Sequence, residues 1–184
     1  MIYFKWFLLS LFNLIFKYLI AWPLTPIVVL FTNRNGWLPS WLFWFQTPDN
    51  SLDGDSGWKN ESRPYLIENN SYQRYINRCY WLWRNSLYGF NESVLAIDAS
   101  YKKIKYSVIG DESVSNIPGK SGLVKRYLHL DGKLIAFHWY YVQQLKHWPK
   151  KCLRISLGWK LFGYKNSRAN KIHMALSIGI NKYA

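Results

Sequence analysis

The run LVKRYLHL-DG-KLIAFHWYYV, residues 123–142, decides the fold. Two strand-like segments flank Asp131-Gly132, a pair that tolerates the positive φ a two-residue hairpin demands. The second segment is apolar on both of its faces, which predicts a central strand. Period-two alternation continues on either side. Upstream, Ile104, Tyr106 and Val108 alternate with Lys103, Lys105 and Ser107. Downstream of a turn at Trp148-Pro149, Leu153, Ile155, Leu157, Trp159 and Leu161 alternate with Cys152, Arg154, Ser156, Gly158 and Lys160. A last run sets Ile172, Met174, Leu176, Ile178 and Ile180 against His173, Ala175, Ser177 and Gly179. Residues 93–184 therefore read as a basic antiparallel β domain, a meander of about five strands. The alternation gathers Lys103, Lys105, Arg154 and Lys160 onto a polar, basic face, and it places Cys152 on that face too.

Ahead of the sheet the period changes. Residues 71–88, within a 63–92 segment, put Tyr72, Tyr75, Ile76, Cys79, Leu82 and Trp83 on one stripe of an amphipathic helix. Ser71 is placed to cap its start and Gly89 to end it. Residues 4–31, FKWFLLSLFNLIFKYLIAWPLTPIVVLF, hold only Lys5 and Lys17 as charges and exceed the roughly 20 apolar residues that cross a bilayer. Three arrangements fit them: a kinked single span, a re-entrant or interfacial hairpin bending at Pro23–Pro26, or a helix buried in a soluble core. Residues 1–31 are thus expected to be a membrane-anchoring segment. Residues 32–62 follow as an aromatic interfacial segment and acidic loop, because Trp37, Trp41, Phe43, Trp44 and Phe45 crowd the position where such rings meet a membrane boundary. The fold class is α+β: an N-terminal membrane-anchoring helix, one amphipathic helix and a C-terminal antiparallel sheet.

Charge divides the 184 residues unevenly. The chain carries 24 Lys and Arg against 10 Asp and Glu, for a net +14. Sixteen of those basic residues and only three acids fall in residues 99–184. If the front end crosses a membrane, the positive-inside rule puts the basic domain in the cytoplasm. The basic face suits anionic phospholipid headgroups, and with interleaved Tyr101, Tyr127, Trp139 and Tyr140 it also suits nucleic acid. Aromatic residues at 19% exclude a disordered chain, and two cysteines exclude a disulfide scaffold.

Polar chemistry concentrates in TPDNSLDGDSGW, residues 47–58. Asp49, Ser51, Asp53 and Gly54 follow the first half of a calcium loop, but Asn60 stands where the closing glutamate belongs and Glu61 comes one residue late. The alternatives are a turn whose carboxylates cap backbone N–H groups, or carboxylates paired with Arg74, Arg78 or Arg84. Unpaired charge next to aromatic segments is costly. The loop of Asp49, Asp53 and Asp55 is therefore expected to dock on the Gly89 end of the helix, against Arg84 and Asn85. The four histidines show no metal spacing, and no nucleophile elbow or Walker loop occurs. No catalytic residue and no cofactor is implied. The Asn-x-Ser sequons at Asn60, Asn69 and Asn91 carry no weight in a chain with fourteen Asn.

WLFWFQTPDN at 41–50, LDGD at 52–55, RNSLYGF at 84–90 and CLRISLGWKL at 152–161 together resemble an uncharacterised domain-of-unknown-function family of small proteins from tailed bacteriophages and prophages. The resemblance implies a bacterial host, hence its inner membrane, and brings no activity or site residues. Three functions stand as expectations. One is a membrane-anchored accessory protein that acts by binding. Another is a membrane-tethered enzyme using Asp49, Asp53 and Asp55, with or without a divalent cation. The third is a virion component.

Overall fold

The computed structural model describes residues 1–59, 70–99, 104–162 and 171–184. Lys103, Tyr101, Glu61 and the sequon residues Asn60 and Asn69 lie outside the described residues. The chain divides into two compact units. One is Leu9–Val94; the other joins Met1–Leu8 to Leu95–Ala184.

The second unit is built on a five-stranded sheet whose strands, in spatial order, are Ile104–Gly110, Gly122–Leu130, Lys133–Leu145, Trp148–Trp159 and Met174–Lys182, every neighbouring pair antiparallel. In chain order, β1 is Ile97–Asp98, β2 Ile104–Gly110, β3 Ser115–Asn116, β4 Gly119–Lys120 and β5 Gly122–Leu130. Then come β6 (Lys133–Leu145), β7 (Trp148–Trp159), β8 (Lys171–Ile172) and β9 (Met174–Lys182). The expected hairpin joins β5 to β6, with Asp131 at φ 48° and Gly132 at φ 79°, and β6 is the central strand as its apolar faces require. Small pairs β1–β8 and β3–β4 complete the unit.

The alternation is present, but along β7 the enclosed side is the opposite of the one its apolar residues suggest. Cys152, Ser156 and Gly158 are buried, whereas Leu153, Ile155 and Leu157 are only half-buried. Register explains this. Tyr140 pairs with Ser156 and Val142 with Arg154, so the even-numbered residues of β7 share a side with Val124, Leu128, Ala136 and Val142, all fully enclosed. At its end β7 is covered on both sides. Trp159 is fully buried edge-on to Phe137, and its indole N–H donates to the Leu95 carbonyl at 3.0 Å. A Cβ at Gly158, where φ is 108°, would stand 2.0 Å from the Phe137 carbonyl oxygen, so only glycine fits there. The first turns of the N-terminal helix also belong to this unit. Tyr3 and Trp6 stack on Phe137 at 4.6 and 5.6 Å, and the Trp6 indole donates to Ala175 of β9.

That helix runs unbroken from Ile2 to Val29 over 28 residues, so of the three arrangements the hairpin bending at Pro23–Pro26 does not form. A π turn at Lys17–Ala21 interrupts its regularity without ending it. Proline lacks an N–H, so Pro26 leaves the carbonyl of Trp22 without its helical partner. The indole N–H of Trp83 fills that vacancy at 3.0 Å. Leu30 bonds back to Ile27, and the Pro26 carbonyl is taken by the hydroxyl of Tyr75, also at 3.0 Å. Both donors come from the amphipathic helix Ser71–Arg84. This helix ends four residues earlier than the sequence suggests, with Leu87 in the left-handed region at φ 61°. Asn70, not Ser71, caps its start, accepting from the Tyr72 N–H. Val28, Val29, Leu42, Leu52, Trp58, Cys79, Trp81 and Leu82 form the core of this unit.

Candidate functional site

The N-terminal helix shows an exposed stripe of large apolar side chains. Phe4, Leu8, Leu11, Ile15 and Leu19 are all exposed and follow one another every three or four residues. The extra residue of the π turn lets the same spacing carry on through Pro23, Ile27 and Leu30. Leu19 keeps 71% of its surface open and Phe4 66%. Lys17, the one charge in mid-helix, turns its Nζ over the rings of Tyr18 and Trp22 at 5.5 and 5.8 Å.

The aromatic segment adds to this surface within its own unit. Ser40–Phe45 is a 3₁₀ helix that buries Leu42 and leaves Trp41 67% and Trp44 50% exposed. Trp37 and Phe43 are exposed as well, and Trp41 meets Phe31 edge-on at 5.3 Å. Phe45 faces inward against the core, so four of the five expected interface rings are on the surface.

The acidic loop is a fastener. Asp53 is held by Arg78, not Arg84: Nε of Arg78 donates to Oδ1 at 2.7 Å and an Nη to Oδ2 at 3.1 Å. The same buried guanidinium donates to the carbonyls of Asn33 and Arg34. One side chain thus ties the amphipathic helix to the acidic loop and to the turn that follows the N-terminal helix. Arg84 lies instead over the rings of Trp58 and Trp81, at 5.3 and 5.7 Å. It sits in the last turn of the helix, whereas Arg78 stands in the middle, opposite the loop. Asp55 caps the Trp58 N–H at 2.7 Å, and Asp49 is exposed. The three carboxylates therefore serve separate purposes, and among the described residues no three His, Cys, Asp or Glu side chains converge as a metal site would require. The stretch before the loop does dock at Gly89, whose N–H donates to the Gln46 carbonyl at 2.8 Å. A Cβ there would lie 2.4 Å from the Phe43 oxygen.

The basic face is not a single face. Lys105 shares the side of Ile109, Lys125 and Trp139, whereas Arg154 lies on the enclosed side beside Val142. Lys160 is exposed just past the end of β7, its N–H bonded to His173. Tyr127 falls on the Trp139 side and Tyr140 on the other. The cross-strand rows on the Lys105 side are mainly apolar, running Leu123–Tyr141–Ile155–Ile178 and Ile109–Lys125–Trp139–Leu157–Leu176.

Sequence reasoning missed a buried polar cluster on the enclosed side. Nε2 of His138 and Oγ of Ser156 are 2.9 Å apart, and Arg126 is opposite His138 in the register. The Phe162 ring stands edge-on to His138 at 4.6 Å, with the Arg126 guanidinium 4.4 Å from its centre. A histidine beside a serine resembles an activated nucleophile. Burial first, then the charges of Arg126 and Lys160, push the His138 pKa down to about 3. So weak a base does not accept a serine proton near neutral pH, and the pair is a structural hydrogen bond. The only available signal was a histidine amid the apolar residues of a central strand.

Both thiols are buried, Cys152 fully and Cys79 at 2% exposure, which corrects the placement of Cys152 on an open polar face, where it would be the more accessible of the two. The reversed enclosed side of β7 is the cause. Burial also pushes the Cys79 thiol up in pKa. Maleimide labelling of folded protein, read by mass spectrometry, should leave both sites unmodified until denaturant is added. Rapid native labelling of Cys152 would contradict the β7 register.

No curated protein and no solved structure matches the chain. A family model matches residues 1–184, and the chain belongs to that family of unknown function, DUF7338.

Proposed function

We propose that the protein is a membrane-attached accessory protein that acts by binding at a bilayer surface, with the N-terminal helix as its attachment element. The observation that carries this reading is the mismatch between composition and burial. The helix is apolar enough to cross a membrane, yet only 11% of its most apolar 18-residue window is buried. A core helix of a soluble protein would be mostly covered, and apolar patches of this extent mark a surface with a partner. Exposed Trp37, Trp41 and Trp44 supply the amphipathic rings that favour a membrane boundary. The membrane is the inner membrane of a bacterial host, in keeping with the phage and prophage resemblance. The charge of residues 99–184 favours the anionic cytoplasmic leaflet, at about 1 kcal/mol for each Lys or Arg near it. An enzymatic role for the acidic loop gains no support, because Asp53 and Asp55 are engaged in structural bonds.

Flotation with vesicles containing anionic phospholipid tests attachment. The wild-type chain should float. Replacing Leu11, Ile15 and Leu19 together by Asn should leave the fold intact, since all three are exposed. At about 1.5–3 kcal/mol per large apolar side chain, partition should drop at least a thousandfold. Wild-type protein that stays at the bottom of the gradient would overturn the reading. Deleting residues 1–31 is the poorer test, because Val28 and Val29 belong to the core of their unit.

A further inference from the structure

We propose that the N-terminal helix lies in the plane of one leaflet and does not cross the bilayer, so that both of its ends face the same compartment. The proposal rests on the membrane-attached reading above and specifies how the attachment is made.

Crossing requires about 20 residues surrounded by lipid or by other apolar segments. Ile2–Val29 is long enough, at roughly 42 Å. One side of it is occupied, however. At its start, Tyr3 and Trp6 are packed on Phe137 and Trp139, and the Trp6 indole is bonded to β9. Carrying these turns into hydrocarbon would carry sheet strands with them, and open sheets do not enter it. Further along, Phe12 and Phe16 pack on Phe90. The Trp22 carbonyl freed by Pro26, and the Pro26 carbonyl left open at the helix end, commit the second half of the helix to Trp83 and Tyr75. The helix that supplies those donors carries Gln73, Arg74, Asn77, Arg78 and Arg84, and Arg78 is ion-paired to a loop. Placing the second half in hydrocarbon would bring this polar helix along beside it. What remains for lipid is the open side of the helix, which carries Phe7, Leu11, Phe12, Ile15, Leu19 and Leu24 among its exposed side chains, an apolar surface that suits an interfacial helix. Lys5 and Arg34, just inside and just past the two ends, are exposed and placed to reach headgroups.

The test compares the two ends in the full chain expressed in bacteria. Single Lys5→Cys and Arg34→Cys variants are treated with a membrane-impermeant maleimide, in intact spheroplasts and in inverted inner-membrane vesicles. The buried native thiols give a low background. Asn35→Cys, also at an exposed position, replaces Arg34→Cys if that variant fails to accumulate. The expected result is that both positions label in the same preparation, with at least a tenfold preference for it over the other. Labelling of Lys5→Cys in one preparation and Arg34→Cys in the other would establish a crossing and overturn the proposal while leaving attachment intact. Protein that fails to sediment with the membrane would overturn the attachment reading itself.

Discussion

An Arg78→Met protein is expected to lose about 3–5 kcal/mol of stability, because its buried guanidinium neutralises Asp53 and satisfies two backbone carbonyls at once. Methionine keeps much of the stem's volume, so the loss reports the polar contacts and not a cavity. For a chain of this length the loss corresponds to roughly 6–20 °C in thermal midpoint. Asp53→Asn should cost less, about 1–3 kcal/mol, since the amide still accepts one hydrogen bond. In a double-mutant cycle the two losses should fall well short of additivity. Arg84→Met provides the contrast. Its side chain is exposed and stacks on Trp58 and Trp81, so about 0.5–1 kcal/mol is at stake. Equal losses at Arg78 and Arg84, or strict additivity between Arg78 and Asp53, would remove the clamp from the account.

That clamp shows where local sequence ceases to inform. An acidic loop in an acid-poor chain was legible, and so was its need for an arginine. Choosing Arg78 over Arg84 was not. The choice depends on how the helix Ser71–Arg84 packs along the N-terminal helix, where Trp83 bonds the Trp22 carbonyl and Tyr75 the Pro26 carbonyl. The hairpin at Asp131-Gly132 was readable because its cause is local: two consecutive residues at positive φ. The central place of β6 was readable because only a strand covered on both sides tolerates apolar residues at successive positions. The enclosed side of β7 was not readable. Period two divides residues into two sets without saying which set a tertiary neighbour will cover. Here Cys152 and Ser156 face the interior and Ile155 does not. The basic face dissolved for the same reason, since Lys105 and Arg154 belong to opposite sets.

The second large effect concerns acid. His138 is fully buried, and its pKa falls from 6.5 to about 3 because burial, then Arg126 and Lys160, oppose a charge on the ring. In the unfolded chain the imidazole titrates near its ordinary value. Between these two values the unfolded state binds a proton that the folded state refuses, so stability must fall as pH falls. The slope approaches about 1.4 kcal/mol per pH unit below 6.5, and the accumulated loss reaches about 5 kcal/mol by pH 3. Above pH 7 the histidine contributes no pH dependence. Asp111 is exposed, and its carboxyl is held below the usual range by hydrogen bonds from Lys120 and then Ser113. Stability from that pairing is lost only below the ordinary carboxylate value of 3.8, so it does not interfere at pH 5 to 6.5. Urea titrations across that interval should show the slope in the wild type and a flattened dependence in His138→Gln. The substituted amide can still bond the Ser156 hydroxyl, so its protein should remain folded at pH 8 at a cost of about 1–3 kcal/mol. A variant that retains the wild-type slope would show that another group carries the acid sensitivity and that His138 is not held neutral by its surroundings.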